Sequence, residues 1–294
     1  MADDNITTPA WPNSLWAAIT PAGPALGQLP ESLETDTLVV GAGFTGLSTA
    51  LHLREMGIET TVIEAASPGW GASGRNNGQV IPTLTRPEPD DLEARHGAAG
   101  ERFVAILRDC ASTLFDVVRK YDLNAEAEQN GWIQPVHSPG RMKIAERRVE
   151  QWSRRGAPVE MLSREEVIAR TGSRQWYGGF WNRTGGHVNP LALARELARM
   201  VVELGGTIYE QTPAQTITRG NDRWIVETPH GRISANRLMM ATNAYTGEFS
   251  RALMPEIARQ VVPIRSWQMA THPLGDNLRA MIIPGREAVS DTHG

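Results

Sequence analysis

The sequence contains a single cysteine, Cys110, among 294 residues. One thiol excludes an intrachain disulfide, and a chain that folds without disulfides suits a reducing compartment. Because Cys110 falls on the apolar stripe of an expected helix, we interpret it as a packed core thiol and not as a reactive one.

Long apolar runs and a strong excess of one charge are also missing. No uninterrupted apolar stretch approaches the roughly 18 residues that indicate a membrane span. Asp3 and Asp4 stand where a secretory signal would be basic. The formal net charge of −4 provides no broad positive surface for nucleic acid. We therefore expect a soluble cytoplasmic protein with no membrane span, no nucleic-acid partner and no metal site, while the oligomeric state stays open.

A glycine-rich turn follows a short apolar run near the N-terminus. Residues 38–40 are apolar and include β-branched members, which is typical of a strand buried on both faces of a parallel sheet. Gly41 allows a tight turn, and Gly43 allows phosphate oxygens to approach backbone N–H groups at a helix N-terminus. Gly46 allows the helix to pack closely on the strand. This pattern predicts a nucleotide-binding βαβ unit.

An acidic residue ends the second strand of this unit. The helix is expected over residues 44–56, beginning with Phe44 and Thr45, and Glu64 with its neighbour Ala65 follows the next apolar run. A carboxylate at that point accepts a hydrogen bond from a ribose 2′-OH and repels a 2′-phosphate, which speaks against NADP. The unit predicts a dinucleotide site, with an empty structural unit as the alternative, and by itself it does not distinguish FAD from NAD.

A polar loop over residues 67–79, the glycine-rich loop, comes next. In a plain NAD-binding fold a crossover helix usually follows the second strand, whereas this loop is dense in hydrogen-bond donors. Such a loop is able to wrap a larger cofactor, and an ordinary surface loop is the alternative.

Further motifs complete a family resemblance. They are Gly131-Trp132, Gly185-Gly186-His187-Val188-Asn189-Pro190 and Ala241-Thr242-Asn243-Ala244-Tyr245. With the βαβ unit and the glycine-rich loop, they make the chain resemble the FAD-dependent oxidoreductases of the D-amino-acid-oxidase type, most closely the γ-glutamylputrescine oxidase-like branch. The resemblance runs from about residue 14 to the last residue. It implies FAD, oxidation of an amine or amino acid, and a two-domain fold.

The resemblance also implies which residues contact FAD. Noncovalent binding is expected, because the glycine-rich loop has no matching histidine or cysteine. Ala214 would hold the adenine through backbone groups, and Thr242 and Asn243 would approach the pyrophosphate, with strand-end packing as the alternative. Arg75 would contact phosphate or flavin, with a substrate anion as the alternative. The expected contacts are Gly41, Gly43, Phe44, Thr45, Gly46, Glu64, Ala65, Gly71, Ala72, Ser73, Arg75, Asn76, Asn77, Gly78, Gln79, Ala214, Ala241, Thr242 and Asn243.

His187 is the predicted catalytic residue on the substrate side. It precedes the helix start expected at Asn189-Pro190, and a histidine titrates in the range that allows it to bind or deprotonate an amine. A hydrogen-bonded structural role is the alternative. Further candidates for the substrate pocket are Trp132, Tyr245, Arg265 and Trp267.

The order of elements predicts an α/β fold with interleaved domains. A Rossmann-like FAD-binding parallel sheet with a β-meander is expected to alternate with an α+β substrate domain. The expected parts are an N-terminal arm over 1–32, the FAD-binding domain over 33–90 and 188–250, and the substrate domain over 91–187 and 251–294. In the resembling family the substrate lies between the inserted sheet and the flavin.

Several local expectations complete the sequence prediction. The N-terminal arm through Pro30 is expected to be irregular, and residues 141–155 to form an exposed, charged helix. The meander is expected from strands over 214–218, 223–228 and 232–234, after which a separate strand over 238–241 returns to the main sheet.

The predicted reaction is FAD-dependent oxidation of a carbon–nitrogen bond to an imine, with oxygen as acceptor and hydrogen peroxide as product. A γ-glutamylputrescine-like substrate of polyamine catabolism is favoured, and glycine, sarcosine or a D-amino acid is the alternative. An NAD-dependent dehydrogenase and a truncated, non-catalytic nucleotide-binding remnant are the rival hypotheses. Because the resembling proteins continue beyond the position of Gly294, we expect a fragment or a truncated chain that holds the adenine half of the site more completely than the flavin half.

Overall fold

The computed structural model describes residues 10–84, 86–250, 253–264 and 266–292. The helices are α1 Leu15–Ile19, α2 Phe44–Glu55, α3 Pro89–His96, α4 Ala98–Lys120, α5 Met142–Ser153, α6 Arg164–Thr171, α7 Pro190–Glu203, α8 Pro255–Ala258 and α9 Asp276–Met281. The strands are β1 Leu33–Val40, β2 Thr60–Ile63, β3 Gln79–Val80, β4 Trp132–Pro135, β5 Val159–Leu162, β6 Gly179–Asn182, β7 Gly186–His187, β8 Thr207–Tyr209, β9 Thr216–Arg219, β10 Trp224–Thr228, β11 Gly231–Met240 and β12 Ala288–Val289. Short 3₁₀ turns cover Ala72–Gly74, Pro139–Arg141 and Asn243–Tyr245.

The chain divides into two compact units, each assembled from separate stretches. The first unit contains Met1–Asn77, Leu123–Ala125 and Asn189–Gln268. The second unit contains Gly78–Asp122, Glu126–Val188 and Met269–Gly294. The boundaries expected for the functional domains stay predictions, because a division by contacts assigns neither cofactor nor substrate to a unit.

The first unit is built on a sheet with the strand order β8-β2-β1-β11-β10-β9. The strands β8, β2, β1 and β11 are parallel neighbours, and Val40 of β1 pairs with both Ile63 of β2 and Met240 of β11. The strands β11, β10 and β9 are antiparallel. The predicted Rossmann-like parallel sheet with a β-meander is therefore confirmed.

The prediction of two short strands within residues 231–241 was wrong. The strand β11 is continuous over ten residues, pairing with β10 over its first half and with β1 from Ile233 to Met240. The polar pair Asn236 and Arg237, which interrupts the apolar pattern, binds Asp36 of β1, at 2.9 Å and 2.5 Å respectively. The polar residues therefore mark an exposed part of a strand and not its end.

Helices α2 and α7 bury apolar faces in the first unit. The buried residues of α2 include Leu47, Ala50 and Leu51, as the helical pattern predicted. The predicted start of α7 is also confirmed, because the Asn189 side chain accepts a hydrogen bond from the Ala192 N–H at 3.1 Å. Each fully buried leucine contributes about 1.5–3 kcal/mol relative to an exposed one.

The N-terminal arm is not wholly irregular, which corrects the sequence expectation. Residues Leu15–Ile19 form the helix α1, and the Ser14 hydroxyl accepts a hydrogen bond from the Ala17 N–H at 3.3 Å. Proline, alanine and glycine around this short segment hid its helical turn. The capping serine was the available signal.

The second unit is built on a sheet with the strand order β12-β4-β6-β5, in which β12 is parallel to β4 and the other pairs are antiparallel. Trp132 and Phe180 meet edge to face in its core, with ring centroids 5.4 Å apart. The strands β3 and β7 form a separate antiparallel pair. A capping box begins α6, in which Ser163 and Glu166 bond reciprocally.

Helix α4 is amphipathic, as its sequence pattern predicted, with Val104, Ala111 and Phe115 buried along one face. Cys110 lies half-buried on this helix, and burial raises the pKa of its thiol, which lowers the thiolate fraction. Among the helices of the described ranges, none combines the length and the apolar character that crossing a membrane requires.

The expectation that α5 is an exposed, charged helix was wrong for one face. Arg148 is 7% exposed, and its guanidinium donates to Glu88 Oε1 at 2.8 Å and to Gln134 Oε1. Arg155, just after the helix, binds Asp90 and Glu93. The alternating charges resembled a solvated face because their carboxylate partners lie about 60 residues away on α3 and at its N-cap.

Candidate functional site

A cavity of about 300 Å³ lies in the first unit at the carboxyl ends of β1, β2 and β11. Ligands of open α/β folds bind at this edge of a parallel sheet. The volume lies at the lower end of the range for small-molecule pockets. The cavity is lined by residues 40–45, 63–65, 70–73 and 240–243 and by Thr212, Ala214, Tyr245, Thr246, Phe249 and Leu253.

The cavity brings together residues from every predicted part of the cofactor site. Gly46 does not line it, because this residue lies beneath the β1–α2 turn and packs against the Gly41 carbonyl. The predicted residues in the lining are Gly41, Gly43, Phe44, Thr45, Glu64, Ala65, Gly71, Ala72, Ser73, Ala214, Ala241, Thr242 and Asn243. The predicted residues outside the lining are Gly46, Arg75, Asn76, Asn77, Gly78, Gln79 and His187.

The turn after β1 is pressed against the end of β11. Gly41 has a φ of +107°, and a Cβ there would lie 2.7 Å from the Ala241 carbonyl oxygen. The Gly41 N–H donates to Ile63 O at 2.8 Å, and the Ala241 N–H donates to Val40 O at 2.8 Å. These hydrogen bonds hold the ends of β1, β2 and β11 together beneath the cavity. Glycine is needed at position 41 because of its positive φ and because of the close contact with the Ala241 carbonyl.

Ser73 occupies the N-terminus of α2. Its hydroxyl oxygen accepts a hydrogen bond from the Phe44 N–H at 2.9 Å, and a Cβ on Gly43 would come within 2.9 Å of that oxygen. The sequence predicted that these backbone N–H groups bind phosphate. It did not predict their hydrogen bond to Ser73, which lies 29 residues further along the chain. The N-terminus of a helix attracts electron-rich groups, and here it lies in the wall of the cavity.

Glu64 is held at the end of β2 by backbone N–H groups. Its Oε2 accepts from Ala42 at 2.7 Å, and its Oε1 accepts from Ala66 at 2.9 Å. Burial raises the pKa of Glu64, and these hydrogen bonds oppose the rise because they favour the carboxylate. Each carboxylate oxygen retains acceptor capacity, so the group is able to bind a ligand hydroxyl as well.

The raised pKa makes stability depend on pH through Glu64. The stabilising contribution of this carboxyl is fully present below its unfolded-state pKa of about 4.5, and it is lost as the pH rises through the higher folded-state pKa. We expect the unfolding free energy of the ligand-free wild type, minus that of Glu64→Gln, to fall as the pH rises from 4.5. Urea unfolding from pH 4 to pH 8 measures this difference, with the exposed Glu59→Gln as the charge-loss control. A difference that rises with pH would contradict the prediction.

An aromatic wall was missing from the sequence prediction. Trp70 lines the cavity and contacts Tyr245 and Phe249 edge to face, with ring centroids 5.8 Å and 5.7 Å apart. Arg75 covers the Trp70 ring at 4.1 Å, and its Nε donates to Trp70 O at 2.6 Å. Arg75 therefore supports the wall, and its expected contact with phosphate or flavin stays a prediction.

Three further lining residues, Thr212, Thr246 and Leu253, were not predicted, because they follow strand ends and belong to no recognisable motif. Ala214 was expected inside the first meander strand, but β9 begins only at Thr216. Ala214 is buried in the lining, together with the unpredicted Thr212. Residues after β11, including Thr246 and Leu253, complete this side of the cavity.

The end of the glycine-rich loop leads into the second unit. Asn76 still belongs to the first unit, and its amide donates to Ser73 O at 2.8 Å and Ala72 O at 3.3 Å. Gln79 pairs with His187 in the β3–β7 ladder, and Gly78 O accepts from the Val188 N–H at 2.9 Å. The last loop residues thus have main-chain roles, while their expected contacts with FAD stay predictions.

His187 lies beside Glu128 in the second unit. The two residues exchange backbone hydrogen bonds at 3.0 Å and 2.9 Å, and His187 Nε2 lies 3.9 Å from Glu128 Oε2. Asn130 donates to the same carboxylate at 2.8 Å, and Arg286 forms an ion pair with it. His187 is partly exposed, and its catalytic role stays a prediction.

The additional aromatic and basic candidates have different surroundings. Trp132 is a core residue of the second unit, 1% exposed, with its indole N–H donating to Ser290 Oγ at 2.8 Å. Tyr245 lines the cavity of the first unit, whereas Trp267 is 95% exposed. Arg265 lies outside the described residues. The prediction of Trp132 as a pocket residue was therefore wrong, because its ring fills the sheet core.

Comparisons with known proteins cover most of the chain. A family model described as DAO, FAD dependent oxidoreductase, matches residues 36–294. The γ-glutamylputrescine oxidoreductase of Escherichia coli (strain K12) is 30% identical over 265 residues, 90% of this chain and 61% of that protein. The probable oxidoreductase OrdL of Rhizobium meliloti (strain 1021) is 33% identical over 300 residues, 97% of this chain and 66% of that protein. The chain therefore spans less than two thirds of the length of either relative.

Solved structures show the same fold. Glycine oxidase from Geobacillus kaustophilus superposes with a TM-score of 0.59 at 20% identity, covering 76% of this chain and 58% of that one. L-amino acid deaminase from Proteus vulgaris, with its specific insertion sequence deleted, superposes with a TM-score of 0.66 at 18% identity, covering 84% and 61%. The match of the family model over residues 36–294 shows that this chain belongs to the DAO family of FAD-dependent oxidoreductases.

Proposed function

We propose that the cavity of the first unit binds the adenosine and pyrophosphate part of FAD. The observation that carries this proposal is the meeting of the glycine turn, the Glu64 carboxylate and the glycine-rich loop around one cavity. Bound there, FAD would supply the two-electron acceptor for oxidation of a carbon–nitrogen bond.

The polarity of the cavity supports this placement. The backbone N–H groups at the start of α2 face the region that suits a pyrophosphate, and Ser73 already places an oxygen there. Glu64 would accept a ribose hydroxyl and repel a 2′-phosphate. Ala214 would bind adenine through its backbone, while Thr242 and Asn243 would approach the pyrophosphate from the end of β11.

We propose an amine or amino acid as substrate, with a γ-glutamylputrescine-like amine favoured. The γ-glutamylputrescine oxidoreductase of Escherichia coli (strain K12), which is 30% identical, supports this choice. The reaction removes a hydride from the carbon and a proton from the nitrogen, and it leaves an imine. Water then converts the imine to a carbonyl compound and ammonia or an amine. Oxygen, as the proposed acceptor, takes two electrons and two protons and becomes hydrogen peroxide.

His187 is the proposed residue for binding or deprotonating the amine. We expect His187→Ala to lower kcat/KM at least about 100-fold, the usual contribution of a general acid or base. Steady-state kinetics by peroxide detection measure this effect. The exposed His96→Ala is the matched control and is expected to keep wild-type kinetics. If His187→Ala also keeps them, His187 has no part in the reaction.

Cofactor binding separates the proposed function from its two rivals. We would titrate the purified chain with FAD, NAD⁺ and NADP⁺ by calorimetry. We expect saturable FAD binding and none of NADP⁺. Binding of NAD⁺ with no uptake of FAD would overturn the proposal in favour of a nicotinamide dehydrogenase, and binding of none of the three would favour a non-catalytic remnant. A screen of γ-glutamylated amines, glycine, sarcosine and D-amino acids with peroxide detection then tests the substrate class.

A further inference from the structure

The N-terminal residues 10–23, here named the N-terminal strap, lie against the first unit at two places. The first place is the start of α7, where the Thr20 hydroxyl and the Asn189 side chain bond each other at 3.0 Å and 3.2 Å. Arg195 of α7 donates to Thr20 O at 3.0 Å and to Pro21 O, and its guanidinium covers the Trp11 ring at 5.1 Å. The strap is therefore anchored on the first turns of α7.

The second place is the glycine-rich loop. The Trp16 indole N–H donates to Asn76 O at 2.8 Å. In the opposite direction, the Trp70 indole N–H donates to Ala10 O at 3.3 Å. Trp70 is 9% exposed and lines the cavity, so the strap bonds to a residue of the cavity wall as well as to the loop backbone.

The contact at Asn76 continues into the cavity through further hydrogen bonds. The Asn76 side chain donates to Ser73 O at 2.8 Å, which fixes the 3₁₀ turn of the loop. The Ser73 hydroxyl then accepts from the Phe44 N–H at the start of α2. A continuous path of bonded groups thus leads from Trp16 to the N–H groups where the pyrophosphate is proposed to bind.

We propose that the N-terminal strap holds the glycine-rich loop in its binding shape and that Trp16 is the positioning residue. This inference rests on the proposed function, because it assigns the loop to FAD. Trp16 acts through the Asn76 carbonyl and does not line the cavity itself. A loop held in place before the ligand arrives loses less conformational freedom on binding, and this raises affinity.

The variant Trp16→Phe tests the inference because it keeps an aromatic ring and removes the indole N–H. We expect FAD to bind about fivefold more weakly, the equivalent of one hydrogen bond. In the protein without FAD, we expect the amides of Gly74 and Arg75, which bond within the 3₁₀ turn, to exchange about fivefold faster. The matched control is Trp224→Phe, whose ring lies on β10 in the same unit, under Arg219.

Hydrogen exchange of β1 and β2 serves as an internal reference. Faster exchange confined to the loop supports the inference, whereas an equal rise in both strands shows general destabilisation and overturns it. Unchanged loop exchange in Trp16→Phe, or FAD affinity within twofold of the wild type, also overturns it. A wild-type protein that does not bind FAD overturns the proposed function instead. The exchange measurement without FAD then still tests whether the strap holds the glycine-rich loop.

Discussion

Replacing Gly46 by alanine is expected to destabilise the protein by about 3 kcal/mol, at the upper end of the cost of inserting a methyl group into a packed site. A Cβ at this position would overlap the Gly41 carbonyl oxygen and lie 3.2 Å from Val39 Cγ1. The Gly41 carbonyl is held in place, because the N–H of the same residue donates a hydrogen bond to Ile63 O. Helix α2 must therefore move away from β1. Urea unfolding measures the loss.

The same substitution is expected to weaken FAD binding about 100-fold, which is a loss of about 3 kcal/mol of binding free energy. The reason is that the N–H groups of Phe44 and Thr45 move with the start of α2. The matched control is Gly27→Ala, because Gly27 has open space around an added Cβ. We expect this control to change the unfolding free energy by less than about 0.5 kcal/mol. Wild-type affinity in Gly46→Ala would contradict the packing argument.

Replacing Arg148 by methionine is expected to cost about 3–5 kcal/mol of unfolding free energy, because it leaves a buried carboxylate without its main partner. Glu88 is 7% exposed, and its Oε1 accepts from Arg148 Nε at 2.8 Å. Arg148 also donates to Gln134 Oε1, so the substitution removes a link between α5, α3 and β4. Urea unfolding followed by far-ultraviolet circular dichroism measures the effect.

The neighbouring Arg147→Met provides the matched control. Its guanidinium lies 3.7 Å from the same Glu88 oxygen, but its side chain is 55% exposed. An exposed pair contributes about 0–1 kcal/mol, so we expect a small change. The double variant Glu88→Gln/Arg148→Met is expected to recover part of the lost stability, because no buried charge remains. Equal losses in Arg147→Met and Arg148→Met would contradict the assignment of Arg148 as the buried partner.

The residues that line the cavity were predicted most completely where they are local in sequence. The glycine turn, helix α2 and Glu64 lie within about 25 residues, and their spacing follows from strand and helix geometry. Ser73 and Trp70 were harder to place. A polar loop has no regular periodicity, so the sequence does not indicate which strand end a serine or tryptophan in the loop will contact.

Three of the errors share one physical cause, which is pairing over long sequence separation. Arg148 was expected in solvent because its carboxylate partner lies 60 residues away. The strand β11 was divided because Asn236 and Arg237 are polar, and only the neighbouring Asp36 explains them. Trp132 was placed in a pocket, although the edge-to-face contact with Phe180 makes it a core residue.

The βαβ unit, the acidic end of β2 and the family resemblance follow from the sequence, because close spacing and residue type specify these features. Three features required the folded structure: Ser73 covers the start of α2, Trp70 forms a wall with Tyr245 and Phe249, and Trp16 bonds to the glycine-rich loop. These contacts join segments that lie 29 to 179 residues apart. Such contacts depend on how the chain returns to the same sheet edge, and a local pattern does not record that path.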